Sequence, residues 1–292
     1  MGGALTGSAM YMFSAAMANE WNQLIPEVDI TVVATAGSNA HYIPLDKGEL
    51  DLATGSNLAN YWVSHGMQLT KTKLSNISVM FPISTNFCHA ITFADSPMKT
   101  FKDQDGKNVL IGPRGSAGAT IAVEKFQALG IKPKILYTTQ VEAIEMMKDR
   151  RADAFTYHSP LRWSGFLDIA TARPLKLIPM TSEDQKKIHE ASPYSFPDLI
   201  PAKTYDFQNE DISTMSDFAC VLARPGVPQE IVYKLTKLMW DKRGELMKSI
   251  ESLKWIKPEM VLSLNAPLHP GAAKYYREIG IKIPDQMIWK KE

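Results

Sequence analysis

Short apolar segments alternate with segments of helical periodicity along almost the whole chain. Short apolar runs bounded by polar residues are typical of strands, and apolar residues every three or four positions are typical of helices. Predicted strands cover residues 30–34, 50–53, 77–81, 87–93, 109–111, 134–137, 154–156, 175–178 and 218–223. Predicted helices cover residues 9–23, 58–65, 117–128, 141–150, 182–191, 229–241, 244–250, 258–262 and 269–280. This alternation predicts an α/β fold with largely parallel sheets.

Four of the connections into helices are rich in glycine, serine, threonine or asparagine. They are GGALTGS (residues 2–8), TAGSN (35–39), TGSN (54–57) and GPRGSAG (112–118). A helix start exposes unpaired backbone N–H groups and carries roughly half a positive charge, so such a turn can bind an anion. Four such turns in one chain predict a shared pocket for a small anion.

The four turns supply most of the candidate ligand-binding residues. Glycine lets a ligand approach the backbone closely, and serine, threonine and asparagine add polar side chains. The candidates are Gly7, Ser8, Tyr11, Gly37, Ser38, Asn39, Gly55, Ser56, Asn57, Arg114, Gly115, Ser116, Gly118 and Thr120. The Arg114 guanidinium could hold both oxygens of a carboxylate. The alternatives are a solvated loop arginine for Arg114, helix caps for the serine and asparagine residues, and core packing for Tyr11.

A weak internal repeat relates two parts of the chain. Residues 46–54 (DKGELDLAT) resemble residues 149–156 (DRRADAFT), and each is a predicted helix end followed by a buried strand. The second strand continues into Tyr157, His158 and Ser159, which are candidates to close over a ligand from a second lobe. Ligands of open α/β sheets bind beyond the carboxyl ends of strands, so two facing halves would share one cleft. Chance similarity of the two segments, and a structural role for His158, are the alternatives.

The N-terminal segment has some features of a signal peptide. Residues 8–18 are small and apolar, but no lysine or arginine precedes Lys47. Apolar side chains also recur at helical spacing, which predicts the buried face of a helix instead. These side chains are Tyr11, Phe13, Met17, Trp21 and Leu24.

Composition excludes several classes of function. The chain has 32 basic and 31 acidic residues among 292, so its charge does not favour binding to nucleic acid or to an anionic membrane surface. No apolar run approaches the roughly 18 to 20 residues of a membrane span. Cys88, Cys220 and the six histidines form no zinc motif, and we predict neither a metal nor a cofactor. Buried free thiols are the expected state of the two cysteines, with a disulfide as the alternative.

Several segments resemble known solute receptors. Residues 100–116 (TFKDQDGKNVLIGPRGS) resemble the DLKGKxVxVGxxGS segment of type II periplasmic solute-binding proteins. Residues 34–39 (ATAGSN), 227–237 (VPQEIVYKLTK) and 267–278 (PLHPGAAKYYRE) resemble the ATGGSxxN, VPEDVVYxxTK and LHPGAxxYYxE segments of the TAXI family of TRAP transporter receptors. Order and spacing hold over nearly the whole chain. The family's opening TGGxxGxYYPxG is replaced here by GSAMYMF (7–13), and neither a strand before Gly2 nor an export signal is present in the sequence.

The resemblance implies a type II periplasmic binding protein fold, with two α/β domains joined by a two-strand hinge. Lobe I would comprise residues 1–87 and 221–292, without its first strand, and lobe II residues 88–220. It also implies a function without a chemical reaction. The receptor would capture a glutamate-like amino acid, or a 2-oxo or dicarboxylic acid, between the lobes. The implied partner is a TRAP-type membrane permease, and the implied location is periplasmic or otherwise extracytoplasmic.

Two other functions stay open at this stage. An enzyme is disfavoured because the chain lacks the Gly-x-Ser-x-Gly, Gly-x-Gly-x-x-Gly and P-loop motifs. A ligand-sensing regulatory module would share the fold, but we find no helix-turn-helix region or basic flank.

Overall fold

The computed structural model describes residues 1–4, 6, 9–114, 116–248 and 250–291. The candidate residues Gly7, Ser8 and Gly115 lie outside the described residues. The chain divides into two compact units. Unit 1 comprises Met1–Thr85 and Phe218–Glu292, and unit 2 comprises Asn86–Asp217.

The helices and strands are numbered in chain order. The helices are α1 (Ala9–Leu24), α2 (Tyr42–Asp46), α3 (Asn57–His65), α4 (Ala117–Leu129), α5 (Gln140–Lys148), α6 (Ser164–Ala172), α7 (Ser182–Ala191), α8 (Gln229–Leu246) and α9 (Pro270–Glu278). The strands are β1 (Leu52–Ser56), β2 (Ser78–Phe93), β3 (Asn108–Ile111), β4 (Lys134–Tyr137), β5 (Ala154–Ser159), β6 (Leu175–Leu177), β7 (Phe196–Ile200) and β8 (Ile212–Ala223). Short 3-10 helices cover Ser38–His41, Phe101–Gln104, Glu251–Trp255, Pro258–Ser263 and Asp285–Met287.

The first residues of unit 1 lie in an extended, parallel arrangement. Gly2 forms parallel bridges to Val33 on one side and to Ala53 of β1 on the other. Its amide donates to the Leu52 carbonyl over 2.9 Å. Residues 1–4, which the sequence assigned to a turn in a lobe without its first strand, therefore occupy a strand position beside β1. On its other side β1 pairs antiparallel with β8.

The pairing in unit 2 is mixed. Strand β3 pairs parallel with β4 and with β5. Strands β5 and β6 pair antiparallel with β2, and β7 pairs antiparallel with β8. The prediction of largely parallel sheets is therefore wrong for the pairs that involve β2 and β8. A buried strand has the same apolar pattern in either direction, so the sequence does not reveal which way it runs.

Most predicted elements are confirmed, with informative exceptions. The predicted strand 134–137 and helix 182–191 match β4 and α7, whereas strands 77–81 and 87–93 form one continuous strand, β2. The short helices α2 and α6 and the strand β7 were not predicted. Helix α1 is confirmed, and it buries Phe13, Met17 and Trp21. Leu24 instead has 48% of its surface exposed, and Tyr11 is half-buried.

The cysteines are buried free thiols, Cys88 in β2 and Cys220 in β8. Within the described ranges, no helix has the length and apolar character that a membrane crossing requires.

Candidate functional site

Three extended segments of unit 1 lead into helices at the same edge. Residues 1–4, the segment around Val33 and β1 run parallel and precede α1, the 3-10 helix Ser38–His41 and α3. His41 stabilises this edge: its Nδ1 atom forms a hydrogen bond of 2.7 Å with the Thr54 carbonyl. A carbonyl only accepts, so Nδ1 carries the proton and Nε2 accepts from Thr35 at 2.6 Å. Parallel strands end at one edge of a sheet, so the helices that follow these three segments begin at the same edge.

The second turn leaves its backbone open to a ligand. Gly37 has φ +139°, a region that strongly favours glycine, and a Cβ there would meet nothing within 4 Å. Ser38 and Asn39 are half-buried and begin the 3-10 helix, whose N-cap residue is Gly37.

The third turn, by contrast, consists of strand end and helix start without an intervening loop. Gly55 lies in β1, where a Cβ would come within 2.7 Å of the Tyr42 hydroxyl and of Leu222. The Ser56 hydroxyl caps α3 by accepting from the Ala59 amide at 3.2 Å. Asn57 is fully buried and donates to the Ser263 carbonyl over 2.7 Å. All three predicted site residues thus have structural roles here.

Unit 2 has a similar edge, formed by its three parallel strands. Leu110 of β3 lies opposite Phe155 of β5, and Ile111 lies opposite Tyr137 of β4. The three strands lead into α4, α5 and α6. The register brings the turn after β3, the end of β4 and the end of β5 together. This is the position at which open α/β sheets bind ligands.

The start of α4 has several of the polar residues predicted for the anion site. The Ser116 hydroxyl caps the helix by accepting from the Ala119 amide at 3.2 Å, and the Thr120 hydroxyl donates to the Ser116 carbonyl. A Cβ on Gly118 would lie 3.5 Å from the Cβ of His158, so β5 approaches this turn closely. Ser116, Gly118 and Thr120 are all half-buried at the edge of unit 2.

Helix starts in the chain differ in whether an acidic residue already neutralises them. In α5 the Glu142 carboxylate accepts from the Thr139 amide at 2.8 Å, and α7 carries Glu183 and Asp184 in its first turn. The first turns of α1, α3 and α4 contain no acidic residue. The first turns of α2, α6 and α9 also lack acidic residues. Since a helix start attracts negative charge, the start of α4, at the strand edge of unit 2, can receive an anion from outside the chain.

Arg114 is exposed on the turn between β3 and α4. Its guanidinium carbon lies 4.0 Å from the centre of the Tyr137 ring, in a cation–π arrangement. The described ion pairs of the chain do not include Arg114. A fixed, unpaired guanidinium beside a helix start suits the binding of a carboxylate.

Tyr157, His158 and Ser159 belong to β5 rather than to a turn, and they have different surroundings. The half-buried Tyr157 ring packs on Trp163, with 4.5 Å between the ring centres. Ser159 is 4% exposed, and its hydroxyl lies 3.4 Å from Nδ1 of His89. His89 is itself buried, which lowers its pKa to about 4. Ser159 therefore belongs to the interior of unit 2.

His158 has no ordinary structural explanation within unit 2. Both ring nitrogens are covered, and neither has a hydrogen bond of normal geometry to any described residue. Burial, together with the charges of Lys125 and His89, holds the pKa of His158 well below its usual value, and the Gly118 backbone opposes this only in part. The ring is therefore neutral near pH 7 and offers one donor and one acceptor.

A buried group of charged side chains lies beneath α4. Lys125 is 1% exposed, and Cys88, which pairs with His158 across β2 and β5, belongs to the core that α4 covers. Lys125 interacts electrostatically with Cys88, Asp217 and Glu124. Among the described residues, however, it forms no ion pair at bonding distance. Burial lowers its pKa, and the neighbouring acids counteract this effect.

The two acids of this group share the unusual environment. Asp217 is 3% exposed and accepts from the Asn86 side chain at 3.3 Å, while its second carboxylate oxygen has no described partner. Burial raises its pKa to about 6, against the opposing effect of Lys125. One oxygen of Glu124 is also buried without a described partner, and burial raises its pKa to about 7. Strongly perturbed groups of this kind are typical of functional sites.

The described residues contain no group of three or more histidine, cysteine, aspartate or glutamate side chains arranged to hold a metal ion. The polar groups at both edges are instead backbone N–H groups, side-chain hydroxyls and amides, and the Arg114 guanidinium.

Comparison with known proteins assigns the chain to a family. Residues 1–280 match the model of the NMT1-like family, which is nearly the whole sequence. The chain belongs to the NMT1-like family.

Solved structures show which fold this NMT1-like chain has. The TctC solute-binding protein from Polaromonas is 15% identical, with 95% of this chain and 96% of that chain covered and a TM-score of 0.58. MatC from Rhodopseudomonas palustris, solved with bound malate, is 11% identical, with 95% and 97% covered and a TM-score of 0.54. The periplasmic sulfonate-binding protein SsuA from Methylobacillus flagellatus KT is 15% identical, with 96% and 86% covered and a TM-score of 0.53. The mixed α/β fold with an open sheet is that of periplasmic binding proteins.

Sequence reasoning missed several polar groups of this NMT1-like chain. Lys125 occupies a position of α4 at which helical periodicity expects an apolar residue. A lysine on the predicted buried face of α4 could therefore have been recognised from the sequence. The proximity of Asp217 to this face, and the stacking of Tyr137 under Arg114, depend on strand register, which no local pattern reveals.

Proposed function

We propose that this NMT1-like protein is an extracytoplasmic receptor that binds a small carboxylate and delivers it to a TRAP-type membrane permease, as TAXI-family receptors do. The observation that carries the proposal is the acid-free start of α4, at the edge where β3, β4 and β5 end. Such an edge supplies unpaired amides and positive potential at one point.

The energetics favour an anion that several groups hold together. Removing a carboxylate from water costs several kcal/mol. A helix start returns about 0.3–1 kcal/mol, and nearer 2 kcal/mol when it is partly buried. A charged hydrogen bond from Arg114 adds about 1.5–3 kcal/mol. No single group offsets the cost, whereas helix starts and Arg114 acting together do.

The neighbours in structure support an anionic ligand. MatC was solved with malate, a dicarboxylate, and SsuA is named for binding sulfonates. The TAXI resemblance points more narrowly to glutamate-like amino acids and to 2-oxo or dicarboxylic acids. We include no chemical reaction in the proposal, and the named neighbours are binding proteins.

Delivery requires that ligand binding changes the conformation of the receptor. In our proposal, the permease recognises the form of the receptor that has a carboxylate bound at the start of α4. Shifting a two-state population from 1:99 to 99:1 needs about 5.5 kcal/mol of differential affinity. A micromolar dissociation constant corresponds to about −8 kcal/mol, so it can accommodate this shift.

The test is a thermal-shift and calorimetric screen of amino acids, 2-oxo acids and dicarboxylates on the intact chain. At least one should raise the unfolding temperature by several degrees. Ala117→Glu places a carboxylate in the first turn of α4, and we expect it to abolish that ligand's effect by competing for the helix start. Val141→Glu places the same charge in the first turn of α5, which Glu142 already neutralises, and should bind normally. The proposal would be overturned if none of the tested compounds binds, or if Ala117→Glu binds the ligand normally.

A further inference from the structure

Two half-buried aromatic side chains stand beside the predicted anion site of unit 2. A Cβ on Gly112, in the turn that leads to α4, would lie 4.0 Å from Cε2 of Tyr157. Tyr157 packs on Trp163 with ring centres 4.5 Å apart and ring planes inclined at 39°. We call Tyr157 and Trp163 the aromatic platform. It lies at the edge where β3 and β5 end, next to the start of α4.

The loop that holds Trp163 adopts a strained conformation. Arg162, the preceding residue, has φ +58°, in the left-handed region that non-glycine residues rarely occupy. The Trp163 amide donates to the Tyr205 hydroxyl at 3.2 Å, and Arg162 faces Asp206 at 3.7 Å. Strain of this kind persists where the surroundings impose it, and it is common at ligand sites.

The next helix also accommodates the tryptophan ring. A Cβ on Gly165, in the first turn of α6, would lie 2.2 Å from a ring carbon of Trp163. Only glycine lets the ring lie flat over this turn. Phe166 then supports the ring from below, edge to face, with centres 4.7 Å apart. The Trp163 ring thus lies against Gly165, and the Trp163 backbone is held by the Tyr205 hydroxyl. The half-exposed ring is therefore fixed in place.

The side chain of Tyr157 is held as well. Its hydroxyl accepts a hydrogen bond from the Gln140 side chain at the start of α5. Rings fixed on both sides of the platform present flat apolar surface at low entropic cost to whatever binds there.

We propose that the aromatic platform selects a carboxylate that carries a flat aromatic ring, with the carboxylate at the start of α4 and the ring against Tyr157 and Trp163. This inference rests on the proposed receptor function and narrows its ligand class away from small aliphatic dicarboxylates. Aromatic rings pack on one another more favourably than saturated rings of the same size, because their quadrupoles are complementary in offset and edge-to-face arrangements.

The test compares phenylacetate with cyclohexylacetate, which have the same carbon skeleton, by isothermal titration calorimetry. Succinate and glutamate serve as ring-free probes. The ratio of the two ring-bearing dissociation constants cancels contributions from the carboxylate. In the unmodified protein we expect phenylacetate to bind about fivefold more tightly than cyclohexylacetate. Trp163→Leu should bring this ratio close to one.

A second variant keeps the test independent of folding. Arg162→Gly removes the left-handed strain without removing the platform, so the protein should unfold at the same or a higher temperature while the aromatic preference falls. Gln68→Gly is the matched control, because the exposed Gln68 also has positive φ (+53°) but lies in unit 1, between α3 and β2. It should keep the full preference.

The outcomes separate this inference from the receptor function. Binding of succinate or glutamate without any preference for phenylacetate would overturn the aromatic inference and leave the receptor standing. An unchanged ratio in Trp163→Leu would also overturn it. If none of these carboxylates binds, both the aromatic inference and the receptor function are wrong.

Discussion

The Asn86 side chain donates to one carboxylate oxygen of Asp217 over 3.3 Å, while the other oxygen is buried without a described partner. These are the first and last residues of unit 2. The hydrogen bond therefore joins the two points at which the chain enters and leaves this unit. Lys125 is buried and interacts electrostatically with Asp217 and with the half-buried Glu124.

The buried acids should make stability depend on pH. Carboxyl groups of an unfolded chain titrate near pH 4, whereas burial raises the pKa of Glu124 to about 7 in the folded protein. The folded state retains the proton longer, so the free energy of unfolding falls as pH rises from about 4 to about 7. Glu124→Gln should flatten this decline, raising stability at pH 8 relative to the parent and changing little at pH 5.

Urea unfolding at pH 5 and pH 8 measures the effect. Glu190→Gln is a suitable control, since Glu190 is an exposed acid on α7 with only a 3.9 Å ion pair. If Glu124→Gln and the parent lose stability in parallel between the two pH values, the buried carboxyl is not the titrating group.

Lys125→Met should lower both stability and binding. Lys125 compensates the buried Asp217 carboxyl, and removing one partner of a buried charge pair is destabilising, so the unfolding temperature should fall. Lys125 also adds positive potential near His158 and the start of α4, so carboxylate affinity should fall by about tenfold. Calorimetric titration with the best ligand of the screen, beside thermal unfolding, tests both parts. Lower stability with unchanged affinity would assign Lys125 a purely structural role.

Arg114→Ala should weaken carboxylate binding by about tenfold or more, because a charged hydrogen bond is lost. Arg114 is exposed and contacts the Tyr137 ring, so the unfolding temperature should stay within a few degrees. Arg151→Ala removes another exposed arginine of unit 2 and should leave the affinity unchanged. Equal affinities for Arg114→Ala and the parent would exclude Arg114 from the site.

Gly55→Ala should destabilise unit 1. The added Cβ would lie 2.7 Å from both the Tyr42 hydroxyl and Leu222, and overpacking of this kind costs about 1–3 kcal/mol. Gly244→Ala in α8 is the matched control, because a Cβ there meets nothing within 4 Å and alanine favours the helix. Chemical denaturation should move the two variants in opposite directions. Unchanged stability of Gly55→Ala would show that β1 can shift to admit the methyl group.

Local signals were sufficient wherever a residue acts on its own segment. Ser116 and Ser56 cap α4 and α3 as the turn patterns indicated, and Phe13 and Trp21 face the core as the helical spacing predicted. The shared polar end of β1 and β5 was also visible in the internal repeat. The roles of the predicted site residues in ligand binding stay predictions.

Local signals failed where the role of a residue depends on distant partners. Asn57 has the composition of a binding turn, yet it donates to Ser263 and accepts from the Asn265 amide. Ser159 was predicted at a turn but lies against His89 in the interior. Both partners are far away along the chain, so no local pattern could identify them.

The sequence alone determined most of the order of helices and strands, the helix starts that lack acidic residues, and the resemblance to solute receptors. These properties follow from short-range periodicity and from the chemistry of neighbouring residues. Only the tertiary structure decided strand direction, the burial of Lys125 beside Asp217, and the stacking of Trp163 on Tyr157. Such relationships depend on which strands pair and in which register. That choice reflects the packing free energy of the whole unit, to which each local segment contributes only a small part.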